Sequence, residues 1–121
     1  MFLVETNRLR ELLHVSFIGN VSVAELERGT DEVKALLKDL PQGFLLLTDL
    51  SRLEKMELAC RKPIGRVMDL CRHAGVGRIV RVIPDPTVDI GFNILSVFHY
   101  ESGKRVITCE NLMQAERHLA G

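Results

Sequence analysis

A cluster of charged side chains follows a short apolar run, and its residue types could support acid–base chemistry. The run covers residues 44–47, and the carboxylates after it are Asp49, Glu54 and Glu57. Neighbouring carboxyl groups can act as an acid and a base if one of them is withdrawn from water. Arg52 and Lys55 lie among these carboxylates, so the sequence favours a solvated charged loop over a catalytic pair.

A set of basic residues further along the chain could hold a phosphate group or an acidic partner. The set consists of Arg61, Lys62, Arg66, Arg72, Arg78 and Arg81, offset only by Asp69. Binding of single-stranded nucleic acid would also need aromatic side chains on which bases can stack. Aromatic residues are few and fall mainly in apolar stretches, so nucleic acid is not an expected partner.

Sequence motifs of known catalytic and cofactor sites are absent. The chain contains no G-x-S-x-G, P-loop, G-x-G-x-x-G or H-E-x-x-H pattern. Its three cysteines, Cys60, Cys71 and Cys109, have no paired short spacing, and its four histidines are scattered. We therefore expect a protein that is not an enzyme and that has no metal site, no cofactor and no disulfide framework.

Length and charge balance indicate a single domain over residues 1–121 with no global attraction to nucleic acid or to a membrane surface. Sixteen basic and sixteen acidic residues cancel, so no net field draws the chain to a polyanion. No apolar run approaches the roughly 20 residues of a membrane helix, and no signal segment is recognisable. A cytoplasmic protein without membrane insertion is expected.

Hydrophobic periodicity predicts alternating strands and helices. Strands are expected at residues 2–5, 12–18, 43–49, 78–83 and 104–108, and helices at residues 22–40, 56–74, 88–98 and 110–119. Ser22 and Glu25 have the spacing of a capping box at the start of the first helix. Pro63 is compatible only with a first helical turn, so either the second helix begins near Arg61, leaving residues 51–60 as a long irregular loop, or a kink lies at Pro63.

The predicted element order is ββαβαβαβα, which is typical of an α/β fold with a mixed, mostly parallel sheet of about five strands and four helices. Asp49 is then expected at the carboxyl end of the central strand, where open α/β sheets usually meet ligands and partners. The predicted third helix is strongly apolar, and Phe92, Phe98 and Tyr100 lie on or after it. Core packing is the favoured role for these residues, and cover over a lipid pocket or a dimer seam is the alternative.

The whole chain resembles a STAS domain, the fold of the bacterial anti-sigma factor antagonists (SpoIIAA-like proteins). The resemblance rests on the element order, on the apolar strand that ends in Asp49-Leu50-Ser51, and on Val106-Ile107-Thr108 leading into residues 110–115. It implies the STAS fold and a regulatory, protein-binding role.

One feature of the antagonists has no counterpart in this chain. In that family the strand is followed by an Asp-Ser-Ser-Gly-like step, where a partner kinase phosphorylates one serine. The corresponding place is residues 57–60, Glu57-Leu58-Ala59-Cys60, which carry no hydroxyl group. Ser51 is the only hydroxyl nearby, and a turn or cap role is favoured for it. The chain therefore resembles the stand-alone SpoIIAA-like proteins that lack this serine.

The sequence favours a non-catalytic, regulatory protein-interaction module. Its expected partner-binding residues lie in the loop after the central strand and at the start of the second helix: Asp49, Ser51, Arg52, Glu54, Lys55, Glu57, Arg61 and Lys62. The alternative is a carrier for a small molecule or lipid, with an apolar pocket beneath the third helix. The identity of the protein partner, and whether the chain forms a homodimer, are left open.

Overall fold

The part of the chain that the structure describes folds as a five-stranded mixed sheet with helices on both faces. The computed structural model describes residues 1–85 and 106–120. The strands are β1 (Phe2–Asn7), β2 (Leu12–Val21), β3 (Leu45–Met56), β4 (Ile79–Val82) and β5 (Val106–Cys109). Within the described residues the α-helices are α1 (Val23–Leu37), α2 (Arg61–His73) and α3 (Leu112–Leu119), and a short 3₁₀ turn, Leu58–Cys60, precedes α2. The third of the four predicted helices, at residues 88–98, lies outside the described residues, as do Phe92, Phe98 and Tyr100.

The strands lie in the sheet in the same order as in the chain. β1 pairs with β2 in an antiparallel manner, and the β2–β3, β3–β4 and β4–β5 pairs are all parallel. The predicted mixed, mainly parallel five-stranded sheet is therefore confirmed.

Alternate residues along the strands face two separate apolar cores. One core lies beneath α1 and α2 and includes Phe44, Leu46 and Leu50. The other lies beneath α3 and includes Leu47, Val80 and Ala115. Because successive strand residues point to opposite faces, Leu46 and Leu47 enter different cores, which explains why this run is apolar without alternation.

Local sequence signals place the starts of α1 and α2 as expected. The Ser22 hydroxyl accepts a hydrogen bond from the Glu25 backbone N–H, and the Glu25 carboxylate accepts one from the Ser22 backbone N–H, so the capping box is formed. Helix α2 begins at Arg61, which puts Pro63 in the first turn, where its missing N–H costs no helical hydrogen bond. Cys60, just before α2, and Cys71, within it, are both buried.

Strands β2 and β3 extend furthest beyond their predicted ends, and β1 also continues to Asn7. β2 was expected to close at Gly19 and Asn20, but it continues to Val21. β3 was expected to end near Asp49 and to give way to a charged loop, which would cover residues 51–60 if the second helix began near Arg61, but it runs on to Met56. The two extensions pair with each other, from Ile18 opposite Arg52 to Val21 opposite Met56. The predicted loop is therefore wrong over residues 51–56.

The Glu25 carboxylate joins the start of α1 to the start of β1. It lies 3.2 Å from the Met1 ammonium group, which also donates to the carbonyl oxygens of Ile18 and Asn20. Partial burial opposes ionisation of Glu25, but hydrogen bonds from the Met1 ammonium and from Ser22 outweigh it, so the pKa of Glu25 lies below its ordinary value. Folding therefore favours the ionised carboxylate.

A pH-dependent contribution to stability follows from this lowered pKa. The stabilisation is fully present above the pKa of Glu25 in the unfolded chain and is lost as the pH falls through the lower pKa of the folded state. Replacing Glu25 by Gln keeps the capping hydrogen bond and removes the charge. We expect Glu25→Gln to lower the free energy of unfolding at pH 6 by about 0.5 kcal/mol, with the difference from wild type shrinking towards pH 3.

Urea unfolding of both proteins between pH 3 and pH 6 measures this difference. Glu27→Gln, which changes an exposed carboxylate on the same helix, is the matched control. Parallel pH profiles for wild type and Glu25→Gln would contradict the assignment.

Candidate docking surface at the end of the third strand

The end of β3 projects beyond its neighbour β4. β3 pairs with β2 as far as Met56, whereas its pairing with β4 ends at Asp49 opposite Val82. We call residues 50–56 the β3 extension. Among the described residues it has a strand neighbour on one side only, so it forms one side of a crevice at the carboxyl ends of the parallel strands.

Two irregularities in the pairing with β2 set which side chains of the β3 extension are exposed. Between Ser16 and Ile18 the partner residue advances from Asp49 to Arg52, and between Gly19 and Asn20 it advances from Leu53 to Lys55. β3 therefore contains one extra residue at each place, as in a β-bulge. Leu50, Leu53 and Met56 are consequently all buried in the core beneath α1 and α2, although they are spaced by three rather than by two.

The charged residues of the β3 extension lie at the surface. Arg52, Glu54 and Lys55 are exposed, and they alternate with the buried Leu53 and Met56. Because the buried side chains of Leu53 and Met56 fix the backbone, the charged side chains project from a strand and not from a loop. The chain then continues through Glu57, Arg61 and Lys62, which are also exposed.

Asp49 differs from the other predicted docking residues because it is buried. Its side chain is 1 % exposed, and its Oδ1 accepts hydrogen bonds from the backbone N–H and the hydroxyl of Ser51, at 2.9 and 2.6 Å. Its Oδ2 has no hydrogen-bond partner within the part of the chain that the structure describes. Asp49 therefore holds Ser51 in place from within the sheet and is not part of the exposed surface.

The start of α2 carries no reactive group in this structure. Cys60 precedes the helix, is fully buried, and has its Sγ 3.7 Å from the carbonyl oxygen of Val21. Burial raises the pKa of the Cys60 thiol, which lowers its thiolate fraction at neutral pH. Residues 52–63 contain no hydroxyl group, so there is no serine or threonine at the end of the β3 extension or in the first turn of α2.

The carboxylates considered for acid–base chemistry occupy different environments. Asp49 lies inside the sheet, whereas Glu54 and Glu57 are exposed to solvent. No group of three or more His, Cys, Asp or Glu side chains that could hold a metal ion occurs within residues 1–85 and 106–120.

The six basic residues do not form one site. Arg61, Lys62, Arg66 and Arg72 are exposed on α2, where Arg72 also lies 3.0 Å from Asp69. Arg78 instead donates to the carbonyl oxygen of His118 near the end of α3, at 2.7 Å. Arg81 is buried in β4 at 5 % exposure. A phosphate site built from the whole set is therefore not formed.

A groove borders the β3 extension and was not expected from the sequence. Its volume is about 570 Å³, and it is lined by Ser51, Ile83, Pro84, Asp85, Glu110 and Asn111. The last five follow β4 or β5 directly in the chain. The carboxyl ends of parallel strands meet at one edge of a sheet. The groove could therefore have been anticipated from the residues at and just after the ends of the predicted strands 78–83 and 104–108.

A polar contact on β2 was also not expected from the sequence. The Nε2 atom of His14 is 3.0 Å from the hydroxyl oxygen of Ser16, which is buried and pairs with Asp49. His14 is half-buried.

Comparison with known proteins shows similarity in fold. No family model matches the chain, and no curated protein matches it. The unphosphorylated form of the anti-sigma factor antagonist SpoIIAA superposes with a TM-score of 0.65 at 18% identity, covering 100% of this chain and 99% of SpoIIAA. SpoIIAA in its phosphorylated form, described as a Bacillus cell fate determinant, gives a TM-score of 0.60 at 17% identity, with coverage of 98% and 99%.

A third structure extends the comparison. An uncharacterised protein of the DUF3478 family from Shewanella loihica PV-4, described as having a SpoIIAA-like fold, gives a TM-score of 0.65 at 13% identity, covering 98% of this chain and 92% of that one. In the described part of this chain, no helix is long and apolar enough to cross a membrane. The element order, the sheet and these superpositions together show that the chain has the SpoIIAA-like (STAS) fold.

Proposed function

We propose that this chain is a non-catalytic, cytosolic protein-interaction module with a regulatory role. Its docking platform consists of the exposed residues Arg52, Glu54, Lys55, Glu57, Leu58, Arg61 and Lys62. The observation that carries the proposal is the β3 extension, which presents charged side chains on one face while Leu53 and Met56 anchor the other face in the core. A rigid element of this kind loses little conformational freedom on binding.

The composition of the platform supports a protein partner. Leu58 is 52% exposed, and it stands between charged residues on both sides along the chain. Protein interfaces commonly combine an apolar centre with a polar, charged rim. We therefore assign Leu58 as the apolar contact of the platform, with Arg52 and Lys55 setting charge complementarity.

The regulatory part of the proposal is supported by the proteins that share the fold. SpoIIAA is described as an anti-sigma factor antagonist and as a cell fate determinant, and it occurs in phosphorylated and unphosphorylated forms. The platform of this chain has no hydroxyl group, and the hydroxyl of Ser51 is bound to Asp49. Partner binding at the platform is thus independent of serine or threonine phosphorylation within residues 52–63.

Charge reversal on the platform tests the proposal. We expect the triple variant Arg52→Glu, Lys55→Glu, Glu57→Lys to reduce capture of the partner from a cell extract at least about tenfold, because like charges across an interface repel. The three positions are exposed, so the free energy of unfolding should change by less than about 0.5 kcal/mol.

The matched control is the triple variant Lys34→Glu, Lys38→Glu, Glu32→Lys, which makes the same charge change at exposed positions on or next to α1. It should capture the same partner as wild type. If the platform variant kept every partner that the wild type captures, the docking assignment would be wrong.

The carrier alternative has no support from the described residues. It requires an apolar cavity beneath residues 88–98, which lie outside them. Among the described residues, the groove beside the β3 extension is lined by a hydroxyl, an amide and two carboxylates in addition to Ile83 and Pro84, and these polar groups do not suit an acyl chain.

A further inference from the structure

Helices α1 and α2 lie side by side on one face of the sheet and run in the same direction. Each helix connects the end of one parallel strand to the start of the next, β2 to β3 and β3 to β4. Their inner sides share one core, which includes Leu26 and Val33 of α1 and Ile64 and Val67 of α2. Their outer sides therefore form one surface, with both helices starting at the same edge of the sheet.

The exposed charges on this surface are separated by sign. The acidic set on α1 consists of Glu27, Asp31 and Glu32. The basic set on α2 consists of Arg61, Lys62 and Arg66. Arg28 is the one exposed cation between residues 23 and 32, and residues 61–66 include no acidic side chain. The net charge of zero for the whole chain therefore conceals two neighbouring stretches of opposite charge.

Neither set is neutralised by an ion pair within one copy of the chain. The ion pairs formed within residues 1–85 and 106–120 involve other side chains, such as Arg72 with Asp69 at 3.0 Å, and no member of either set. Two members of each set are spaced by four residues, a separation at which like charges on a helix repel each other. Each set is therefore stabilised by contact with a surface of opposite charge.

A two-fold axis brings the two sets together in both directions. If the axis runs parallel to the helices and between them, it places α1 of one copy over α2 of the other and keeps their directions the same. The acidic set of each copy then faces the basic set of the other, and every contact is made twice, as in an isologous interface. These side chains are already exposed, so neither copy has to rearrange.

We propose that this chain associates with a second copy of itself through the outer surface of α1 and α2, with the acidic set of each copy on the basic set of the other. Exposed ion pairs are individually weak, so the dimer forms at high protein concentration and low salt. Arg61 and Lys62 also belong to the docking platform, so a second copy and the protein partner compete for them. The dimer does not depend on the proposed function, whereas this competition does.

Sedimentation equilibrium of the full chain measures the association. At about 20 mM NaCl we expect a monomer–dimer equilibrium with a Kd of roughly 0.1–1 mM. At about 500 mM NaCl the association should weaken at least about tenfold, because salt screens exposed charges. A chain that stays monomeric at about 2 mM protein and low salt would overturn the proposal.

Two charge-reversal variants identify the surfaces that meet. Variant A carries Glu27→Lys and Asp31→Lys on α1, and variant B carries Arg61→Glu and Arg66→Glu on α2. Each variant alone presents mainly one sign of charge on both helices, so we expect its Kd to rise at least about tenfold above that of wild type. An equal mixture of A and B should dimerise with a Kd within about threefold of wild type, because each helix again faces the opposite charge.

The control is the double variant Glu5→Lys, Arg117→Glu, which reverses exposed charges on β1 and α3 and should dimerise as wild type does. Dimerisation of A or B alone with the wild-type Kd, or failure of their mixture to dimerise, would contradict the assigned surfaces. A monomeric wild type that binds vesicles containing phosphatidylserine, when variant B does not, would show that the basic set takes an anionic membrane instead. Partner capture from a dilute extract tests the proposed function separately.

Discussion

Replacing Leu53 by Ala is expected to destabilise the protein by about 3 kcal/mol, as large-to-small substitutions in a packed core do. Leu53 is 1% exposed and belongs to the core beneath α1 and α2, although it lies among the charged residues of the β3 extension. The loss combines the transfer free energy of the side chain with the cavity left between the sheet and the helices. Urea unfolding followed by circular dichroism measures it.

Leu58→Ala provides the matched control for this prediction. Leu58 lies five residues further on and is 52% exposed, so its truncation should change the free energy of unfolding by less than about 0.5 kcal/mol. Equal effects of the two substitutions would mean that residues 51–56 are not anchored in the core. The docking platform would then not be held rigidly by the core.

The second large effect is expected at two glycines inside helices, where the same substitution should have opposite signs. A Cβ atom at Gly29 of α1 would overlap the ring atoms Cδ2 and Cε2 of Phe2, whereas a Cβ atom at Gly65 of α2 would meet no atom within 4 Å. The Phe2 ring is held by Phe17, with ring centroids 4.9 Å apart. Gly29→Ala should therefore destabilise by about 1–2 kcal/mol, because overpacking outweighs the gain in helix propensity.

Gly65→Ala should instead stabilise by about 0.5–1 kcal/mol, because alanine restricts the unfolded chain and favours the helix. Thermal or urea unfolding of both variants measures the contrast. The cost of Gly29→Ala should also fall in a Phe2→Leu background, because the two sites are in contact and their effects are coupled. A stabilising effect of Gly29→Ala in the wild-type background would rule out the described packing of β1 on α1.

Local signals allowed much of the fold to be predicted. The capping box of Ser22 and Glu25 and the position of Pro63 each depend on a few neighbouring residues, so the starts of α1 and α2 follow from the sequence. The burial of Cys71 follows from helical spacing in the same way. The order of strands and helices then favours a mainly parallel sheet.

The β3 extension could not be predicted because its spacing depends on pairing with β2. A strand with a regular pleat buries every second residue, but the two bulges opposite β2 convert this period to three at Leu50, Leu53 and Met56. In the sequence, apolar residues spaced by three among charged residues are typical of a loop or of the start of a helix. Only the register with Ile18 to Val21 reveals a strand.

The sequence predicted which charged residues lie at the candidate site, but it did not predict the shape of the site. Arg52, Glu54, Lys55 and Glu57 were singled out because they follow an apolar run, and they are exposed in the structure. The burial of Asp49 and the groove formed with Asp85 and Glu110 depend on contacts between strands that lie far apart in the sequence. Such contacts leave no local pattern.

Hydrogen exchange of the full chain, with and without its captured partner, tests the docking platform most directly. We expect partner binding to slow amide exchange at residues 50–62, which include the β3 extension and the first two residues of α2, while the exposed face of α1 exchanges at its original rate. Slowed exchange confined to α1 or α3, with residues 50–62 unchanged, would contradict the platform as the docking surface.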